Sequence, residues 1–148
     1  MVKHKEAQGM EIYLNFVDQS AAALDFYGKV FKTTTDEIMY YRDAPTDPEH
    51  PLPEQLKDLV MHASIMIDGT QVMISDVPPE MGLELTSGNN IALVIQAKSD
   101  AEIEQLYHDL SSDGKIVASL EATFWAKKYA IVNDKFGIQW QLNLPTEA

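Results

Sequence analysis

The sequence predicts an α+β domain built from two tandem βαβββ modules. Three observations carry this. Two-residue alternation in the first apolar segment gives way to helical spacing, three strand-like runs follow, and the same order of elements begins again near Asn89. At 148 residues, 45% of them hydrophobic and 23% charged, the chain fits one domain able to bury its own core without metals or cross-links.

Glu11 to Phe16 reads as a strand, since Ile12, Leu14 and Phe16 alternate with Glu11, Tyr13 and Asn15. Between Asp18 and Phe31 the period changes, and Ala23, Phe26, Tyr27, Val30 and Phe31 share one helical stripe, with Asp18 or Ser20 as N-cap. Thr33 to Tyr41 is rich in β-branched and aromatic residues and reads as a second strand. Pro45, Pro48, Pro51 and Pro53 make Arg42 to Asp58 a long loop, of the kind that can act as a lid beside a pocket. Leu59 to Ile67 and Gln71 to Asp76 flank Asp68-Gly69-Thr70, the signature of a hairpin. A second loop, Val77 to Gly88, carries Pro78, Pro79, Gly82 and Gly88.

The second pass opens with Ile91, Leu93 and Ile95 alternating with Asn90, Ala92 and Val94. Ser99-Asp100-Ala101-Glu102 matches a capping box, and Ile103, Leu106, Tyr107 and Leu110 form the stripe of a helix that stops near Gly114, a residue free to adopt the left-handed conformation. Lys115 to Leu120, Lys128 to Asn133 and Ile138 to Leu144 complete the strands. The expected organisation is a disordered leader over 1–9 and a single domain over 10–148, with modules of about 11–76 and 89–144. Helices do not follow every strand and no glycine-rich phosphate loop follows the first, which argues against a doubly wound nucleotide fold.

Charge narrows the function classes. The formal net charge is −12 with only 11 Lys and Arg, so neither a nucleic acid nor an anionic membrane surface is an expected partner. Acid concentrated in Asp43 to Asp58 and Asp100 to Asp113 reads as solvated surface. The absence of cysteine removes disulfides, thiolate metal sites and a cysteine nucleophile, and fits a cytoplasmic protein. No apolar run approaches the length of a membrane span.

Read in order, Asn15-Phe16, Ala23-Leu24-Asp25-Phe26-Tyr27 with Phe31, His62-Ala63 before Ile67-Asp68-Gly69, Ser75-Asp76, Thr123-Phe124-Trp125, and Val132-Asn133-Asp134-Lys135-Phe136-Gly137 before Trp140 make the chain resemble the vicinal oxygen chelate superfamily. That superfamily includes glyoxalase I, bleomycin-resistance proteins and extradiol dioxygenases, and the resemblance is to its PhnB-like branch. It covers nearly the whole chain after Gly9. It implies paired modules forming a cupped mixed sheet, helices on the convex side, a small-molecule cavity on the concave side, and a homodimer. Some relatives carry a ubiquinone methyltransferase label, but nothing in this sequence looks like a cofactor site for methyl transfer.

Alternation assigns the faces independently. The side carrying Ile12, Leu14, Phe16, Val72, Ile74, Ile91, Leu93, Ile95, Ile138, Trp140 and Leu142 packs on helices. The other side carries Glu11, Tyr13, Asn15, His62, Ser64, Met66, Gln71, Met73, Ser75, Asn90, Gln139, Gln141 and Asn143, a polar and almost uncharged set that suits a small ligand or simply faces water. Metal-dependent relatives place His and Glu at four strand positions, which by the resemblance fall near Glu11, near Met73 or Ser75, at Asn90 and at Gln141. Only one of these is a carboxylate, so no metal and no other cofactor is expected.

The resulting candidate ligand set is Tyr13, Asn15, His62, Ser75, Asn90, Trp125 and Gln141. Glu11 and His62 are the candidate acid–base groups, because a histidine titrates near neutral pH, although His62 also fits a hydrogen-bonded structural role. Phe124 and Trp125 form an aromatic wall over the ligand or pack between modules. Ser75-Asp76 ends a strand at the pocket rim or opens the next turn. Three functions remain compatible with these residues: a metal-free small-molecule-binding protein, a metal-dependent lyase or isomerase of glyoxalase type, and an interaction module with a vestigial pocket. The linker before Asn89 permits modules from one chain or exchanged between two.

Overall fold

The computed structural model describes residues 9–147, so most of the expected leader lies outside the described residues. The chain divides between Leu85 and Thr86 into two compact units, each with one helix and one four-stranded mixed sheet. The α+β class and the twice-repeated order of elements expected from the sequence are present.

In the first unit, β1 (Ile12–Phe16) runs parallel to β4 (Thr70–Asp76), which pairs antiparallel with β3 (Val60–Ile67) and through it with β2 (Thr35–Tyr40), giving the order β1-β4-β3-β2. The parallel pair needs a crossover, and α1 (Ser20–Val30) supplies the first part of it. Ala23, Leu24, Tyr27 and Val30 of the helix are buried together with Ala63, Ile65, Ile67, Val72 and Ile74 of the sheet, the side that alternation assigns to the helix. β3 and β4 meet through Asp68 (φ 48) and Gly69 (φ 82), a two-residue turn with both central residues left-handed, which pairs Ile67 with Thr70. The proline-rich segment is a long connection interrupted by single 3-10 turns at Tyr41–Asp43 and Glu54–Leu56.

The start of α1 differs from the expected N-cap. Gln19 occupies the cap position with no side-chain hydrogen bond, and Ser20 is already helical. The buried Asp76 carboxylate takes the role from the end of β4, accepting from the Ser20 backbone N–H at 2.9 Å through Oδ1 and from the Val60 N–H at 2.9 Å through Oδ2. An anion at a helix N-terminus satisfies an orphan donor and opposes the helix dipole.

The second unit repeats the plan as β5-β8-β7-β6, with β5 (Leu93–Gln96), α2 (Asp100–Ser111), β6 (Lys115–Glu121), β7 (Ala126–Asn133) and β8 (Gln139–Pro145). Ile103, Leu106 and Leu110 of α2 are buried with Ile95, Ala130, Val132, Trp140 and Leu142. Ser99 caps α2 by accepting from the Glu102 N–H at 3.1 Å, while Glu102 reaches back to the Lys98 N–H at 3.3 Å, one residue before the cap. In the β7–β8 turn, Asp134 Oδ1 accepts from the Phe136 and Ile138 N–H groups and Oδ2 accepts from the Trp140 indole at 2.9 Å.

Two details of this unit differ from expectation. The left-handed residue after α2 is Asp113 (φ 57), not Gly114. Gly114 is required by close approach instead, because a Cβ there would collide with the Asn133 carbonyl oxygen. The second difference concerns Asn90 and Ile91. The strand starts only at Leu93, opposite Trp140, and in that register Asn90 and Ile91 would face Gly137 and Ile138, which precede the start of β8 at Gln139. Ile91 is therefore 76% exposed rather than packed on a helix, and Asn90 lies on an exposed bend before the strand.

Candidate functional site

On the first sheet, the face away from α1 is built in rungs. Asn15 pairs with Ser75, Tyr13 with Met73, and Met73 with Ser64, while Met39 stands opposite His62 and Glu37 opposite Ser64. This face gathers four of the predicted residues into two hydrogen-bonded pairs. The Ser75 hydroxyl donates to Asn15 Oδ1 at 3.1 Å, and the Tyr13 hydroxyl lies 3.2 Å from His62 Nδ1, the two rings tilted with centroids 5.9 Å apart. Tyr13 is 43% exposed and Asn15 is exposed, whereas Ser75 is buried and His62 half-buried, so the set has a fixed floor and an accessible edge. Glu11 is exposed, one residue before β1.

Sequence reasoning missed Tyr41. Its hydroxyl donates to the Asp76 carbonyl at 2.8 Å and ties the start of the proline-rich segment to the end of β4. Burial, the Asp76 charge and the neighbouring Tyr13 together raise its pKa above the phenol value of 10.0. Only its aromatic neighbour Tyr40 and the strand-like composition marked this position, and neither signals a partner 35 residues away. The choice left open for Ser75-Asp76 resolves into two roles: Ser75 faces the polar side and Asp76 the helix.

On the second sheet, the corresponding face carries Gln141 opposite Val94 and Ile131, and Asn143 opposite Gln96 and Tyr129. Asn143 Nδ2 donates to Gln96 Oε1 at 2.7 Å, and Gln139 Nε2 to Asn133 Oδ1 at 3.1 Å. Trp125, 50% exposed, meets Tyr129 edge to face at 5.3 Å, and Phe124, 95% exposed, meets Trp125 at 4.8 Å. Tyr129, also missed, thus connects Trp125 to the rung beside Gln141. Asn90 joins neither group. A separate open groove of about 480 Å³ lies on the helix side of the first unit between α1 and β2, lined by residues including Leu24, Gly28, Ile38 and Tyr40, and contains none of the predicted site residues.

A model of the family described as 3-demethylubiquinone-9 3-methyltransferase matches residues 8–143. The chain belongs to that family. It is similar to the Escherichia coli protein YjdN, at 29% identity over 141 residues covering 89% of this chain and 92% of that protein. Among solved structures it resembles the PhnB protein of Bacillus cereus, at 26% identity and TM-score 0.75 over 93% of this chain and 99% of that one. It also resembles PA1353 of Pseudomonas aeruginosa, at 25% identity and TM-score 0.82 over 95% and 100%. At 9% identity, a glyoxylase/bleomycin resistance protein/dioxygenase domain from Frankia matches in fold with TM-score 0.65, covering 96% of this chain and all of that one. The chain is PhnB-like, and its fold is that of the glyoxalase/bleomycin-resistance proteins.

Two groups that these relationships imply do not fit the residues present. Methyl transfer calls for a nucleoside sulfonium donor, but the connection from β1 to α1 is Val17-Asp18-Gln19, without glycine, and Asp76 already occupies the helix N-terminus. For the metal that the resemblance implies, the positions expected from the sequence hold a carboxylate, a thioether or hydroxyl, and two amides. Among the described residues no three His, Asp or Glu side chains cluster as ligands.

Proposed function

We propose that this chain is a small-molecule-binding protein of the glyoxalase/bleomycin-resistance type that works without a catalytic metal. The observation that carries this reading is the face formed by Tyr13, Asn15, His62 and Ser75, where two hydrogen-bonded pairs fix polar groups on a rigid sheet at an accessible edge. Polar residues that served only solvation would gain little from being held this way, whereas ligand recognition depends on such preorganisation. On the second unit, taken by itself, Trp125 and Gln141 are the proposed ligand residues, and Asn90, on an exposed bend outside the sheet, drops out of the set. His62 and Glu11 are the groups available should a proton be moved.

No helix among the described residues is long and apolar enough to cross a membrane. We infer a cytoplasmic homodimer, an association supported by the exposed apolar side chains Ile91, Val94, Ile116, Val117 and Phe124.

A thermal-shift screen against a metabolite library, with and without EDTA, tests the reading. Hits are expected to raise the melting temperature equally in both conditions and to lose most of that shift in His62→Ala, while its unliganded melting temperature changes little. A shift abolished by EDTA would favour the metal-dependent lyase or isomerase instead. A library that stabilises wild type and His62→Ala alike would remove this face as the site.

A further inference from the structure

The donors and charges on the open face of the first sheet restrict the molecule it can accept, an inference that rests on reading that face as the ligand site. Asn15 Oδ1 is engaged by the Ser75 hydroxyl, which leaves the amide N–H groups of this exposed side chain as donors. The Tyr13–His62 pair presents a donor whichever way its own proton lies. If the phenol donates to Nδ1, the neutral imidazole carries N–H at Nε2, and if Nδ1 donates, the phenol O–H is released. The accessible polar edge therefore offers a donor in either arrangement, beside one acceptor, the phenol oxygen or Nε2.

Charge on the same sheet excludes one way of meeting those donors. None of the residues of β1, β2, β3 or β4 is Lys or Arg. The basic side chains in the connection between β2 and β3 are already paired, Arg42 with Asp58 at 2.8 Å and Lys57 with Glu54 at 2.7 Å. Glu37 stands on the open face opposite Ser64, and Glu11 borders it. An anionic ligand would be desolvated beside two carboxylates with no cation to receive it. A cationic ligand would be drawn to Glu37 and could meet the one acceptor of the Tyr13–His62 pair, but it would leave the Asn15 amide donors unmet.

The apolar part of the face is methionine: Met73 beside Tyr13, Met39 opposite His62, and Met66 on the next rung opposite Gln71. Thioethers are polarizable and make favourable contacts with flat rings. We propose that this face binds an uncharged aromatic carbonyl compound, its carbonyl oxygen accepting from Asn15 and the Tyr13–His62 pair and its ring lying over the methionines.

Titration of the ¹⁵N-labelled full chain with acetophenone, benzoate and benzylammonium, followed by NMR, separates the possibilities. Acetophenone is expected to shift the Asn15 side-chain amide and the β1 and β3 backbone signals. Benzoate and benzylammonium should bind at least about tenfold more weakly, a difference of about 1.4 kcal/mol. Asn15→Leu should weaken acetophenone about fivefold, as loss of one neutral hydrogen bond does. If benzoate or benzylammonium matches or exceeds acetophenone on these same signals, the ligand class is wrong while the site stands. If none of the three moves any signal of this face, both the class and the site reading fall.

Discussion

Tyr41 illustrates how one hydroxyl can organise a long connection. Its bond to the Asp76 carbonyl anchors the segment before four prolines to a residue whose carboxylate also caps α1, so one residue serves loop, strand and helix. Tyr41→Phe should cost about 1 kcal/mol at neutral pH, the usual net worth of one such hydrogen bond. The pH dependence has a definite sign. Because the folded phenol holds its proton more tightly than the unfolded one, its stabilisation is complete below the ordinary value of 10.0 and is lost as pH rises through the raised folded value. Urea unfolding at pH 7 and pH 10.5 should therefore show wild type approaching Tyr41→Phe at the higher pH. A gap that stays constant would mean that Tyr41 does not titrate with folding.

At the scale of elements, the second unit shows where local pattern and packing part company. The helix stripe Ile103, Leu106 and Leu110 and the Ser99 cap were legible because both follow from spacing along one segment. Gly114 was legible as a helix stop, but for a reason that packing replaces. Its backbone meets the Asn133–Asp134 segment so closely that a side chain would collide with main chain, which cannot rotate away. Gly114→Ala should destabilise the protein by about 1–3 kcal/mol, in the range of overpacking substitutions. Chemical denaturation checks this against Asp113→Gly, which relieves a left-handed residue and should be neutral or stabilising. Equal stability of wild type and Gly114→Ala would show that the two segments move apart at little cost.

For the whole molecule, the net charge of −12 favours solubility, while exposed apolar side chains such as Ile91 and Phe124 favour association. Light scattering at physiological ionic strength should give twice the mass of one chain, and low salt should weaken the assembly by strengthening repulsion between like-charged copies. A single-chain mass at all concentrations would remove the dimer and leave those side chains without a partner copy.

What the sequence determined by itself is everything that repeats along a short window: the two βαβββ passes, the helix-facing residues such as Val72, Ile74 and Trp140, and the polar face holding Tyr13, Asn15, His62 and Ser75. These follow from alternation and helical period, which depend only on neighbouring residues. Tertiary structure alone decided that Asp76, 56 residues from Ser20, caps α1, that Tyr41 ties the proline-rich segment to the end of β4, that Tyr129 meets Trp125, and that β5 begins at Leu93 and leaves Asn90 outside the sheet. Each depends on a partner distant in the chain, and the pattern of a single strand or helix carries no record of which distant group will meet it.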